Sequence, residues 1–392
     1  MSSPLHQRTA SETVDLVYFD AGGGHRASAV ALQAAIEDRG PARTVRLVNL
    51  REVLDPKDSF RKLVGIHPEQ YYNARLARGW TLGMAQELKL LQGIVRWAHQ
   101  PLVRILGRHW TATRPHLVVS LIPNFNRALC QSLASALPGT PFVTVMTDIA
   151  DHPPGFWIEK GLDQHVICGS RRAVDQARSA GLAQERVHAT SGMIIRAGFY
   201  KTGSDNRAAE RRRLGLDDLP PTGLVLFGGQ GSKVMVDIAR RLSETPLILA
   251  CGHNRQLAET LRALPAKAPR IVLGFTPELA SYMALADFFI GKPGPGCLSE
   301  AVQMQLPVIV VSNRWTLPQE VYNAQWIREQ GLGIVIPSLA EIGIAVGELT
   351  RDLPGYRSAT GKVRNRALFE LPDILNDILA RRSGSAHVLR SG

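Results

Sequence analysis

Several patterns that would assign a chemistry at once are missing from this chain of 392 residues. Its four cysteines, Cys130, Cys168, Cys251 and Cys297, stand far apart with no CxxC spacing. That excludes a zinc ribbon and gives no hint of a disulfide framework, a usage that fits a reducing cytosol. There is no DxD, and no His, Cys and carboxylate cluster at metal-ligand spacing, so a metal-independent site is the simpler expectation. No stretch approaches the ~18 uninterrupted apolar residues of a membrane span. The opening residues, MSSPLHQRTASET, lack the apolar core of a signal peptide. If such a chain meets a membrane, it does so from the surface.

Acidic residues are also scarce. Lys and Arg outnumber Asp and Glu 46 to 34, leaving a formal charge of +12. That surplus points to a polyanion, an anionic membrane surface or an anionic substrate. Charged residues make up only 20% against 45% hydrophobic, which excludes a disordered chain. The length exceeds one comfortable core, so two domains are expected.

What is present is an alternation of short apolar runs and helical stretches. Val14–Phe19 reads as a strand, AGGGHRAS follows it, a helix runs from about Arg26 to Asp38, and Val45–Leu50 is the next strand. Gly22, Gly24 and Ala27 satisfy a loose dinucleotide pattern. The following strand, however, ends in Asn49 and Leu50, with no acid placed for an adenosine ribose. Thr81–Thr113 reads as an amphipathic helix kinked or split at Pro101. Leu88, Leu91, Ile94, Val95, Ala98, Leu102, Ile105 and Leu106 form one face. Lys89, Arg96, His99, Arg104 and Arg108, with Trp97 and Trp110, form the other. A basic face with tryptophans suits a membrane surface, and a solvated face over a core helix is the plain alternative.

Strands then follow at about Leu117–Leu121, Phe142–Met146, Gln164–Cys168 and Val187–Thr190. Residues 201–222 are polar and end in two prolines, so they read as a linker. A second series opens with a strand running into FGGQGS, and continues through Leu247–Ala250, Ile271–Leu273, Ala286–Ile290, Val308–Val311 and Gly333–Ile336. Spacings of about 20–25 residues are those of repeated βα units in a parallel sheet. The fold class expected is therefore α/β, with two Rossmann-like doubly wound domains facing a cleft. The domains fall at 1–200 and 223–370, joined by 201–222, and the segment 371–392 carries a helix that crosses back to brace the first domain.

The cleft is where ligands of such sheets bind, outside the carboxyl ends of the strands. Gly291–Val311, GKPGPGCLSEAVQMQLPVIVV, carries a glycine loop to a helix opening near Cys297, which is an anion site in outline. Ser299 and Glu300 are placed in its first turn, where Glu300 either meets a ligand or only complements the helix dipole. His25 follows three glycines and reads either as a base or phosphate contact, or as a histidine capping its turn. Asp148 and Asp151 follow a strand end and read as proton acceptors or as turn residues. Gln319, Glu320 and Asn323 in LPQEVYN, and Phe275 in GFTPEL, stand at further strand ends.

GGGHRASAVAL, VTVMTDIADHPPGFW, GFTPEL, GKPGPGCLSEAVQMQLPVIVV and PQEVYN occur in that order. As a set they resemble the glycosyltransferases that include monogalactosyldiacylglycerol synthases and bacterial diacylglycerol glucosyltransferases, relatives of the GlcNAc transferase that makes lipid II. The resemblance implies a glycosyltransferase-B fold, no essential metal and no cofactor beyond a UDP-sugar co-substrate. By matching position, Glu300 would hold the ribose, with Ser299 beside it. Gly294 and Gly296 would approach the diphosphate, and Gly229 in FGGQGS is a further donor-side candidate. Phe275 would lie by uracil, and Gln319, Glu320 and Asn323 would hold the hexose. Gly23, Gly24 and His25 would lie on the acceptor side, with His25 or Asp148 as base, and Trp97 is placed on that side as part of the basic helix face that suits a membrane surface. The expected partners are a UDP-hexose donor, a lipid acceptor and an anionic membrane, with no nucleic acid. The expected location is the cytoplasmic face of the cell membrane. FGGQGSKVM is less glycine-rich than its family counterpart, and GKPGPGC departs from the usual forms of its loop. A UDP-sugar 2-epimerase, which can share the same twin-domain scaffold, and a non-catalytic nucleotide-binding protein are the alternatives.

Overall fold

In the computed structural model, residues 12–20, 24–39, 43–57, 84–201, 206–216 and 220–388 are described. Among them, twelve strands form two six-stranded sheets, parallel throughout. The first holds β1 (Thr13–Tyr18), β2 (Thr44–Asn49), β3 (Leu117–Ser120), β4 (Phe142–Val145), β5 (His165–Cys168) and β6 (Val187–Ala189), in the order β2-β1-β3-β4-β5-β6. The second holds β7 (Gly223–Leu226), β8 (Leu247–Ala250), β9 (Arg270–Leu273), β10 (Phe288–Gly291), β11 (Val308–Val311) and β12 (Gly333–Ile336), in the order β12-β11-β10-β7-β8-β9. The central strands are short β-branched and leucine runs buried along their length, as strands covered by helices on both faces must be. The chain winds outward in opposite directions from β1 and β3 in the first sheet, and from β7 and β10 in the second. These reversals open a crevice at the strand ends.

Packing on both sides fixes these crevices. A side chain on Gly291, the last residue of β10, would meet the Leu226 carbonyl of β7 at 2.6 Å, so the two strands close up only because position 291 is bare. Gly252 has φ +59°, and a Cβ there would meet the Gly229 carbonyl at 2.1 Å, which seats the loop after β8 against the loop after β7. At the opposite end of the second sheet, buried Asp287 accepts from the Thr222 N–H at 2.8 Å and pairs with Arg207, Arg211 and Arg357. Two of those arginines come from the segment expected as a linker. Within 201–222 the described residues carry a helix, Arg207–Arg213, whose guanidinium groups also hold the carbonyls of Ala284, Leu285 and Leu216. Polar composition there marks a charged clamp on the second sheet, and composition alone cannot separate a clamp from a solvated tether.

The final helix, Ala367–Val388, returns to the first sheet. Leu371, Leu375, Ile378 and Leu379 are buried in one cluster with Val14, Leu16, Leu32, Ile36 and Leu117. Arg39 of the helix Gly24–Arg39 lies 4.4 Å over the Phe369 ring. The spacing of the apolar residues, 371, 375, 378 and 379, is one helical stripe.

Thr81–Thr113 departs from expectation in three ways. Residues 81–83 lie outside the described part, and the rest forms two helices, Met84–Trp97 and His99–Thr113, which break at Ala98. Trp110 is no surface residue: it is wholly buried and its indole N–H donates to Ser132 Oγ at 2.9 Å. Conversely Leu91 and Ile94, placed on the core face by periodicity, are exposed together with Leu90 and Trp97. Leu88, half-buried against the cluster of Met146, Phe156 and Trp157, ties the first of these helices inward on its apolar side. Periodicity reports an apolar stripe and is silent about what covers it.

Candidate functional site

The site sits where the two crevices face each other. On the second sheet, the loop after β10 delivers the helix Pro295–Gln303, which opens at Pro295 with Gly294 as N-cap. The expected start was near Cys297. Proline's fixed φ suits the first helical position, where its missing N–H costs nothing, so the helix begins two residues earlier. Ser299 and Glu300 therefore lie in the second turn, and the first turn carries no acid. The reading of Glu300 as a dipole-complementing first-turn residue loses its basis. Gly294 is buried, whereas Gly296 is exposed with open space where a Cβ would stand.

Four charged side chains surround this helix start. Glu300 is 13% exposed in its side chain, and burial pushes its carboxyl up to about 7 although Arg196 approaches to 3.4 Å. Arg196 comes from the segment between the sheets, 104 residues away, and was not singled out by sequence. Lys292, in the loop after β10, donates to the buried Glu320 carboxylate at 2.5 Å. The pair lies directly over the helix N-cap: a Cβ on Gly294 would meet Lys292 Cε at 3.2 Å and Glu320 Oε1 at 3.5 Å. Glu320 ends a short 3₁₀ turn after β11, and Gln319 beside it is half-buried. Asn323, expected among the sugar contacts, is wholly buried. Its amide donates to the Pro293 carbonyl at 2.8 Å, so in this structure it holds the loop in place. Ser299 is buried at the helix's inner side.

Phe275, in the loop after β9, is 62% exposed. It stacks on His253 from the loop after β8, with ring centroids 4.2 Å apart and 16° between planes. The result is a flat aromatic step at the sheet's far side. Gly229, after β7, is exposed beside the same crevice.

On the first sheet, Gly24 opens the helix Gly24–Arg39, while Gly22 and Gly23 lie outside the described residues. His25 is half-buried, its Nδ1 is 3.2 Å from Thr147 Oγ1, and burial pushes its imidazole down to about 4, so it is neutral at physiological pH. Asp148 follows Thr147 past the end of β4. It is buried and accepts from the Trp157 indole N–H at 2.8 Å. Burial pushes its carboxyl up to about 7 against that hydrogen bond, helped by the negative charge of Glu320 and opposed by Lys292. Asp148 thus feels the Lys292–Glu320 pair across the cleft, and sequence-distant residues of the two sheets share one electrostatic site. Asp151 is turned inward: it accepts from the Gly155 N–H at 2.8 Å and the Trp157 N–H at 2.7 Å, which is turn chemistry. Trp97 is 87% exposed, beyond this group. Trp157, which touches both His25 and Asp148, was not singled out by sequence; its place at the end of HPPGFW was the available signal.

Among the described residues, no group of three or more His, Cys, Asp and Glu side chains could hold a metal ion. Nor is any helix there long and apolar enough to cross a membrane.

Known proteins resemble this chain in sequence and in fold. Residues 224–341 match the glycosyltransferase family 28 C-terminal domain. Over 349 residues the chain is 28% identical to the chloroplastic monogalactosyldiacylglycerol synthase of Spinacia oleracea, covering 84% of this chain and 64% of that protein. The chain therefore spans less than two thirds of that relative's length. Among solved structures, MurG of Acinetobacter baumannii superimposes with a TM-score of 0.59 at 14% identity, over 94% of this chain and all of that one. The UDP-GlcNAc 2-epimerase of Neisseria meningitidis, bound to UDP-GlcNAc, gives 0.58 at 13% identity over 94% of this chain and all of that one. At those identities the structures speak for the fold alone, which is the expected pair of facing Rossmann-like units.

Proposed function

We propose, from the match of residues 224–341 to the glycosyltransferase family 28 C-terminal domain and from the two parallel sheets that face each other, that the chain is a glycosyltransferase of the GT-B fold that moves a hexose from a UDP-sugar to a lipid hydroxyl at a membrane surface with inversion. The observation that carries the reading is the facing of a buried, weakly acidic carboxyl, Asp148, and a helix start without a side-chain cap across one cleft. The diphosphate would lie on the free N–H groups of Pro295–Gln303, over the open space at Gly296. Glu300 would take the ribose hydroxyls and Phe275 the uracil, with Gln319 and Glu320 on the hexose.

Of the two candidate bases, Asp148 is the better matched. A carboxyl near 7 is half ionised at working pH and accepts a proton far more readily than an imidazole near 4. The acceptor oxygen attacks the anomeric carbon, its proton passes to Asp148, and the bond to the diphosphate breaks. The departing negative charge falls on the helix start, whose N–H dipoles are already oriented. His25, neutral and steadied by Thr147, orients the acceptor hydroxyl. The exposed Leu90, Leu91, Ile94 and Trp97, beside Lys89, Arg96, Arg104 and Arg108, supply the face that meets lipid. On an anionic surface each such cation contributes about 1 kcal/mol. The helix that carries this face touches the Trp157 cluster through Leu88, so a lipid held there lies next to the proposed base.

Two variants test the assignment. Glu300→Ala should weaken UDP binding measured by calorimetry, whereas His25→Ala should bind UDP as the parent does yet transfer poorly. Full transfer by both variants would overturn the site. Incubation with UDP-GlcNAc and no acceptor separates the 2-epimerase alternative, since an epimer forming without acceptor contradicts a transferase.

A further inference from the structure

The ion pair between Lys292 and Glu320 poses a problem for the reading above, on which this inference rests. The ammonium and the carboxylate stand over the N-cap of the helix Pro295–Gln303, with Lys292 Nζ at 3.7 Å and Glu320 Oε1 at 3.5 Å from the position of a Gly294 Cβ. A diphosphate on that helix start would lie against the pair. Glu320 is 5% exposed, so its charge repels the phosphates through a medium that screens poorly. The Lys292 ammonium, about one third exposed, is turned toward Glu320 and held there at 2.5 Å.

We propose that Lys292 exchanges partners when the donor arrives: its ammonium leaves the Glu320 carboxylate for the diphosphate, and the freed carboxylate takes hydroxyls of the hexose. The geometry makes the exchange short. Lys292 is anchored by its backbone in the loop after β10, two residues before the N-cap, so a change of side-chain rotamer carries the ammonium from one anion to the other. Asn323 keeps the loop backbone fixed through Pro293 meanwhile. Glu320 is equally anchored at the end of its 3₁₀ turn, and a hydrogen donated by a hexose hydroxyl replaces the one that Lys292 withdraws. A nucleoside diphosphate without a sugar draws off the lysine and leaves a buried carboxylate unpaired, which is costly. A nucleoside diphosphate sugar supplies both the anion and the hydroxyls. The pair therefore discriminates donor from spent product, and favours release of the product once the hexose has left.

Calorimetric titration of UDP, UDP-glucose, UDP-galactose and UDP-GlcNAc into the parent, Glu320→Gln, Lys292→Met and the double variant tests this. Glu320→Gln should bind UDP about three- to tenfold tighter than the parent, because no pair has to break. The same variant should bind the preferred UDP-sugar about tenfold more weakly. In the Lys292→Met background, Glu320→Gln should change UDP affinity less than twofold. If Glu320 merely repels phosphate at a distance, Glu320→Gln tightens UDP and UDP-sugars alike and does so in both backgrounds, which overturns the exchange. Lys292→Met alone leaves a buried charge unpaired; if it does not fold, the double variant, whose pair is neutral, still reports the loss of the cation, and Lys292→Arg should restore UDP binding. A parent protein that binds no UDP or UDP-sugar overturns the premise itself, and with it the exchange.

Discussion

Replacing Asp148 by Asn separates the chemistry of this site from the stability of the fold. The buried carboxyl titrates near 7 instead of 3.8, a rise of about three pH units. At 1.36 kcal/mol per unit that is about 4 kcal/mol against the ionised form. The native state therefore holds a proton on Asp148 between about pH 4 and pH 7, where the unfolded chain has lost it. Stability contributed by that proton is full at low pH and is lost as pH climbs through about 7. Asparagine has nearly the same shape, keeps an oxygen for the Trp157 N–H and carries no charge. Allowing for a weaker hydrogen bond to a neutral acceptor, Asp148→Asn should be about 2–3 kcal/mol more stable than the parent at pH 8 and about equal near pH 4. Transfer should meanwhile fall by about 10² to 10⁴, the usual contribution of a general base. Urea unfolding at the two pH values, beside an initial-rate assay at pH 8, reads both quantities. A variant that is less stable at pH 8, or a stability difference that does not change with pH, would refute the assignment of a buried, reluctantly ionised base.

Glu300 should show itself in donor affinity. Its carboxyl lies near 7, so KM for the UDP-sugar should rise as pH falls below that value, and Glu300→Gln should flatten the dependence while raising KM about tenfold or more. At the far end of the second sheet, burial pushes the Asp287 carboxyl up. The Thr222 N–H and Arg211, Arg207 and Arg357 outweigh it and hold the group below its usual range. Its stabilisation is present at neutral pH and is lost as pH falls through that depressed value. Asp287→Asn should cost about 3–5 kcal/mol in urea unfolding at pH 7. Ile94→Glu with Trp97→Glu should leave UDP binding intact but abolish salt-sensitive co-sedimentation with anionic liposomes. Retained sedimentation would remove the exposed face from the account.

The strands were legible because each is a short β-branched or leucine run between polar turns. β8, β11 and β12 fall on the expected residues and most others within one or two. Their order was not legible. Nothing in Leu224–Phe227 or Ala286–Ile290 says that the two runs lie side by side, yet that pairing creates the crevice, with Gly291 bare against Leu226. Candidate side chains could be picked from strand ends and helix starts, as His25, Asp148, Glu300 and Glu320 were. Their partners could not, because Arg196 stands 104 positions from Glu300 and Thr147 stands 122 from His25. Lys292 and Glu320 were each in view, 28 residues apart, but only the fold makes them a pair. Asn323 looked like a ligand because amides often are. Its burial against Pro293 is a tertiary fact with no local signature.

The most direct test of the central claim is product analysis after incubating the chain with UDP-sugars and liposomes that contain diacylglycerol. Hexosyl-lipid should accumulate in step with released UDP, from an α-linked donor into a β-linked product, and Asp148→Asn should form it about 10² to 10⁴ times more slowly. UDP release or sugar isomerisation with no sugar on the lipid would contradict the account.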